Sequence, residues 1–376
     1  MEFMPDCDLM KTITVALRRG YHTVHNDLLA HPPAGIKYEV AQSVSTDSNK
    51  ALAGLKRGLF RFYTTVTGRP NKIFIPHNRE AQLIHSTSGF IPVNPSNWVM
   101  DVEHVNSFVG FRPGSHFSKA KRSIEKLLSS QHCKKIMPWS NAAKLSIING
   151  LDCTGFENKL EAVYPTMAPM KVRREKHDGF TITYVGMNFY NKGGKELLEA
   201  FRLLRQKYDA KLTMVVPKEY WKPQDGVEFV EPGPREMVYD IYKRSDVFAM
   251  PSYHDSYGMV YIEAMNFGLP IVATKLFAIP EIVGNAGILI KPPVSYYNEK
   301  QQFAWSSWID FTKFIRDNNF PRAVDDLHKA LKSLADSSSL RNRLGRAGRK
   351  RIESGPVSIK ARNKKLKRIY EEAIRF

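Results

Sequence analysis

Short apolar runs of strand length alternate with segments of helical spacing through most of the chain, the pattern of α/β layers with parallel sheets. In the first half, residues 13–17, 36–42, 72–75, 82–84, 98–102 and 135–138 read as strands, and 160–164 closes the series. Residues 22–29 and 117–131 have helical periodicity, and Ser140 is placed to cap a helix that runs to Asn149. The second half restarts the alternation more clearly. Strands are predicted at 180–186, 211–216, 227–230, 247–251, 271–274 and 287–290, with helices at 194–207 and 235–244.

Between the halves, residues 166–178 are Pro-rich and basic, which marks an interdomain linker. The chain therefore divides into residues 1–168, residues 169–355 and a last helical stretch at 356–376. The two larger units are Rossmann-like and similar in size, so a cleft should lie between them, with ligands at the carboxyl ends of the strands. Residues 291–318 fit this plan poorly. They are aromatic and only weakly periodic, and read as an insertion that packs on its domain or meets a partner. Beyond Arg322 the chain is helical, and residues 341–368 hold many basic residues and a single acid, Glu353.

A chain of 376 residues with 43% hydrophobic content can bury two cores. Its 56 basic against 37 acidic residues give a net charge of +19, which calls for an anionic partner. Nucleic acid, anionic lipid and phosphate-bearing substrates all qualify on charge alone. Cys7, Cys133 and Cys153 lie far apart without metal-type spacing, so neither a disulfide framework nor a zinc site is expected. The first residues carry acids and no apolar core, and no run of about 18 apolar residues occurs. A cytoplasmic setting is the expectation, with attachment to the inner face of a membrane as an extension of it.

The chemistry concentrates between Pro251 and Glu281. Asp255 and Glu263 stand eight positions apart, either side of a glycine turn and the start of an apolar helix. Ser256, Tyr257, Gly258 and Met259 would present backbone N–H groups at the helix start, where free donors and the helix dipole suit a phosphate. Gly258 allows close approach. A phosphate cradle flanked by two carboxylates that accept from hydroxyls suits a nucleotide sugar. Lys192, followed by Gly193-Gly194 and an apolar helix, reads as a second diphosphate clamp.

The 251–281 stretch resembles the donor-binding signature of family 4 retaining glycosyltransferases of the GT-B fold. Glu263-Ala264-Met265, Gly268-Leu269-Pro270 and Ile279-Pro280-Glu281 match it, while Asp255 replaces a Glu and Tyr257-Gly258 replaces Phe-Gly. The resemblance implies an N-terminal acceptor domain, a C-terminal nucleotide-sugar donor domain and a last helix that returns to the N-terminal domain. It implies that Lys192 binds phosphate, that Glu263 holds ribose and that Asp255 holds sugar hydroxyls. Met187 stands where the family has a second phosphate-binding arginine, and Arg18-Arg19-Gly20 stands where it often has Gly-Gly. Gly20 could serve the donor phosphate, and Arg18 or Arg19 could supply the missing charge. Asp101, Glu103 and His104 sit at a predicted strand end, where His104 is the choice for contact with donor sugar or acceptor and His85 a second candidate. The base pocket should lie around residues 215–218 and 229–235.

A retaining transfer from a UDP-, GDP- or ADP-linked sugar to a glycan or lipid-linked acceptor is thus expected, with no cofactor and no metal. An anionic membrane surface is a further expected partner, through Lys56-Arg57 beside Leu59-Phe60 and Phe62-Tyr63, and through residues 119–126 with Ile124, Leu127 and Leu128. Two alternatives remain: a glycosyltransferase-like subunit without turnover, and a basic nucleic-acid-binding α/β protein. The second is disfavoured because no nucleic-acid motif accompanies the charge.

Overall fold

The computed structural model describes residues 12–20, 24–41, 69–111 and 114–375. Its first unit runs β1 (Ile13–Leu17), α1 (Val24–Ala30), β2 (Ile36–Val40), β3 (Lys72–Ile73), β4 (Leu83–Ser86), β5 (Ile91–Pro92), β6 (Trp98–Val102), α2 (Gly114–Leu128), β7 (Cys133–Pro138) and α3 (Asn141–Gly150). Five of the strands form a parallel sheet in the order β2-β1-β4-β6-β7, while β3 and β5 pair separately. Strands β4 and β6 are buried at every residue, as a parallel sheet covered on both faces requires.

The second unit follows with β8 (Phe180–Val185), α4 (Gly194–Arg205), β9 (Ala210–Val215), β10 (Val227–Val230), α5 (Arg235–Lys243), β11 (Val247–Met250), α6 (Met259–Asn266), β12 (Ile271–Thr274), α7 (Ile279–Val283) and β13 (Gly287–Ile290). Its six strands are parallel in the order β10-β9-β8-β11-β12-β13. The sequence direction reverses between β8 and β11, and in the first sheet between β1 and β4. Loops leaving such adjacent strands diverge and open a crevice. The fold is GT-B: two Rossmann-like sheets, each with its crevice facing the other.

Helices α8 (Trp308–Asp317), α9 (Pro321–Asp336) and α10 (Ser338–Glu353) finish the second unit, and α11 (Ile359–Arg375) crosses back to the first sheet. There Leu366, Ile369 and Tyr370 join the core of β1 and β4, and the Tyr370 hydroxyl meets the Tyr38 hydroxyl at 2.9 Å.

Three expectations change. Residues 160–164 are not a strand. The Glu161 and Val163 amides donate to the carbonyls of Ile136 and Pro138, but Pro138 has no N–H to return a bond, so pairing is limited to a bridge at Leu160. The apolar side of α2 is not a membrane face either, because Ala120, Ile124 and Leu128 are buried in the first core. The other proposed membrane face, at residues 56–63, lies outside the described residues, as does Cys7; Cys133 and Cys153 are free and buried. Finally, residues 291–318 contain a full helix, α8, capped by Ser307. Among the described residues, no helix is long and apolar enough to cross a membrane.

The first turn of α4 holds a buried acid. Glu196 is 1% exposed, and neither of its oxygens has an aligned hydrogen-bond partner. Burial pushes its carboxyl up to about 7, against the offset from its own backbone and the nearby Tyr253 hydroxyl. The folded protein thus binds this proton more tightly than the unfolded chain, and stability should fall as pH rises from about 4.5 to about 7. Glu196→Gln should remove that slope, worth at most about 3 kcal/mol. Denaturant melts at pH 5 and pH 7.5 measure it; equal pH dependence in both proteins would show that Glu196 titrates normally.

Candidate functional site

Both candidate donor loops leave the second sheet at its reversal point, one after β8 and one after β11. In the first, Gly193 caps α4 in the left-handed region with φ +70°, and a Cβ there would come 2.3 Å from the Pro251 carbonyl oxygen of the other loop. Only glycine lets the two loops touch. In the second, Gly258 caps α6 with φ +85°, and no side chain caps that helix start. The amides of Gly258 and Met259 therefore remain for a ligand, whereas the Tyr257 amide donates to Asp255 Oδ1 at 3.2 Å.

The charged groups at these loops are paired with one another. Lys192 Nζ lies 2.7 Å from Asp255 Oδ2 and donates to the His254 carbonyl at 2.9 Å. Glu263, one turn into α6, accepts from Arg235 Nε at 2.8 Å. Burial raises the Glu263 carboxyl above its usual range, and the guanidinium offsets part of the rise. Ser256 Oγ reaches across the cleft to Glu103 Oε2 at 2.9 Å, and the Tyr257 hydroxyl donates to the Pro165 carbonyl at 2.5 Å. Glu281, from the Ile-Pro-Glu run, accepts from the amides of Asn141 and Ala142 at 2.8 Å each and so caps α3 of the opposite unit. Ser140 caps the same helix through the Ala143 amide at 3.0 Å.

The N-terminal candidates separate into two groups. Gly20 lies at the β1 loop, where a Cβ would strike His25, Thr87 and Ser88 within 2.8 Å. Arg18 turns onto its own unit, donating to Thr87 and lying 3.9 Å over the Phe90 ring, and Arg19 donates to Asn26 Oδ1 at 2.7 Å. His85 is buried beneath α11, with Nδ1 2.8 Å from the Tyr370 hydroxyl and Nε2 3.4 Å from Asp101. Asp101 also meets His25 at 3.3 Å and accepts from Trp139 Nε1 at 3.0 Å. Its surroundings hold it ionised: burial opposes the charge, and the two histidines outweigh it. These groups line a cavity of about 40 Å³, room for a water or two rather than a sugar. Met187, where the resemblance lacks its arginine, is 60% exposed.

His104 is enclosed by the aromatic segment before α8. Its Nδ1 accepts from the Asn106 amide at 3.1 Å, which leaves Nε2 to donate to the Gln301 carbonyl at 2.9 Å. The Phe303 ring stacks on it at 4.5 Å, and Tyr297 and Phe277 pack beside it. Gln301 adopts φ +58°, the left-handed region that turns its backbone inward. Two further ties hold the segment across the cleft: Asn149 Nδ2 to the Lys300 carbonyl at 3.1 Å, and Gln302 Nε2 to the Ser146 carbonyl at 2.6 Å. Sequence reasoning found neither this closure nor the Arg235–Glu263 pair, since both join residues distant in sequence. Among the described residues, no cluster of His, Cys, Asp or Glu is arranged to hold a metal ion.

Residues 179–303 match the sequence model of the family described as glycosyl transferases group 1. The matched stretch lies within the second unit, from the residue before β8 to the aromatic segment beyond β13. The chain is 39% identical over 66 residues to a D-inositol 3-phosphate glycosyltransferase of Corynebacterium jeikeium, 17% of this chain and 16% of that protein. It thus spans about a sixth of the length of the first curated relatives it matches. It is 25% identical over 219 residues to the capsular polysaccharide biosynthesis glycosyltransferase CapM of Staphylococcus aureus, 55% of this chain and 48% of that one. Sucrose-phosphate synthase from Thermosynechococcus elongatus shares the fold with a TM-score of 0.61 at 14% identity, over 96% of this chain and 98% of that chain.

The enclosure of His104 has a measurable consequence. Burial lowers its ring to about 4, with the Gln301 bond opposing the shift. The ring should stay neutral, with its proton on Nε2, throughout pH 5–8. Nitrogen-15 chemical shifts of the histidine rings test this. A His104 ring that titrates near 6.5 would show that the aromatic segment does not seal it.

Proposed function

We propose that this protein is a retaining glycosyltransferase that moves a sugar from a nucleotide-sugar donor to a glycan or lipid-linked acceptor without a metal ion. The observation that carries the reading is the convergence at one strand-order reversal: Lys192, Gly193 and the uncapped start of α6 lie together, flanked by Asp255 and Glu263. This is a place for a diphosphate with hydroxyl-bearing rings on either side. The likeness to CapM, a capsular polysaccharide biosynthesis glycosyltransferase, supports a glycan acceptor, and the family match supports transfer as the reaction.

In such a transfer negative charge grows on the departing β-phosphate as the glycosidic bond breaks. Preorganised donors at that oxygen supply most of what the protein can contribute. Lys192 and the amides of Gly258 and Met259 take this role. Glu263 accepts from ribose hydroxyls and Asp255 from sugar hydroxyls once the donor has displaced their present partners. The acceptor enters from the N-terminal side, where Glu103 faces Ser256. The base of the donor is UDP-, GDP- or ADP-type and meets the loops after β9 and β10. Exposed Arg343, Arg346 and Lys350 on α10 supply positive charge toward an anionic membrane surface.

Incubation with UDP-, GDP- and ADP-sugars and lipid-linked or polysaccharide acceptors, with the anomer of the product read by proton coupling constants, tests the reaction. Lys192→Ala should lower turnover by about 10²–10³-fold. Glu263→Gln should weaken donor binding by about 1.5–3 kcal/mol with the fold intact. An inverted product would contradict the retaining mechanism, and full activity of Lys192→Ala would place the phosphate site elsewhere. The bond from His104 to Gln301 favours a second reading, a glycosyltransferase-like subunit that binds nucleotide without turnover. Nucleotide binding with no transfer to any acceptor would select it.

A further inference from the structure

Arg235 stands in the cleft between Glu263 and Asp27 of the opposite unit. It is the first residue of α5, and its side chain is 30% exposed. Its Nε–H donates to Glu263, and its Nη1 lies 3.8 Å from Asp27 Oδ2 on α1 of the opposite unit. Nη2 is 2.7 Å from the same Glu263 oxygen, yet Nη2 and Asp27 Oδ2 are both buried without an aligned hydrogen-bond partner. One guanidinium thus serves two carboxylates and satisfies neither arrangement fully.

Ribose hydroxyls that donate to Glu263 would compete directly with this guanidinium. Once displaced, Arg235 keeps only Asp27, at 3.8 Å and without an aligned hydrogen bond, and a half-buried guanidinium held so loosely gains from a nearer anion. The start of α6 is four residues from Glu263, about 6 Å along the helix axis, a step that a long arginine side chain spans by changing rotamer. A diphosphate bound there brings more negative charge than Lys192 alone balances. Arg18 and Arg19 are engaged on their own unit, with Thr87, Phe90 and Asn26. We propose that Arg235 is the second diphosphate-binding cation of this chain, passing from Glu263 to the phosphate when ribose takes up that carboxylate. Donor binding would then break the Asp27 contact between the two units and renew the tie through the ligand.

The inference rests on the nucleotide-sugar reading, and its test separates the two. Affinities of the wild-type chain, Arg235→Gln and Arg235→Lys are measured by calorimetry for a nucleoside, its monophosphate and its diphosphate, using the base that the wild type binds. Arg235→Gln should weaken diphosphate binding about 10- to 100-fold, the scale of a lost charge-assisted hydrogen bond, and leave the nucleoside unchanged or tighter. Arg235→Lys should recover part of the diphosphate loss. An equal loss for all three ligands would mean that Arg235 orients Glu263 for ribose, and unchanged or tighter diphosphate binding would mean that it is only a tie between the units. Either result overturns the proposal while leaving the donor reading in place. A wild-type chain that binds no nucleoside diphosphate overturns both. Melting temperatures of the variants without ligand show whether any loss reflects unfolding.

Discussion

A carboxylate taken out of water must find a cation or a set of hydrogen-bond donors, and this constraint organises the whole cleft. Asp255 takes Lys192, Glu263 takes Arg235, Glu281 takes the start of α3, and Glu103 takes Ser256. The last two contacts cross from one sheet unit to the other, and Arg235 adds a third crossing toward Asp27. Of the groups that would receive a ligand, Ser256 and Arg235 thus also contact the opposite unit. On the donor reading, a ligand would not enter a set of unpaired charges. It would exchange with internal pairs, and its affinity would be the difference between the contacts it makes and those it breaks.

The fold was legible because both sheets are parallel and covered on both faces. Strands β6 and β11 are buried at every residue; β11 appears as a continuous apolar run, and β6 as one interrupted by Asp101 alone. The strand misread at 160–164 failed on a single atom, the missing amide hydrogen of Pro138. The two-residue strands β3 and β5 carry too little pattern to be told from loop.

The candidate site was legible where chemistry is local. Gly193 and Gly258 stand directly before helices, as their positions in the sequence indicate, and Lys192, Asp255 and Glu263 lie on the loops and first turn that their spacing places them on. What was not legible depends on partners far along the chain. The Arg235 to Glu263 contact spans 28 residues, and the Gln301 to His104 contact spans 197. Arg18 and Arg19, candidates by loop position, and His85, the second histidine candidate, are held by Thr87, Asn26 and Tyr370, contacts that no spacing encodes. The aromatic segment has a reason in this light. Its rings could not be left on the surface, and they pack around His104 and His254 instead.

On the proposed function, the paired groups between the β8 and β11 loops receive a nucleoside diphosphate. A thermal-shift series with UDP, GDP and ADP against their nucleosides tests it most directly, because a ligand of the native state raises the melting temperature by mass action. One diphosphate should raise the melting temperature with increasing concentration while its nucleoside does so far less. No shift with any of the three diphosphates at millimolar concentration would contradict it.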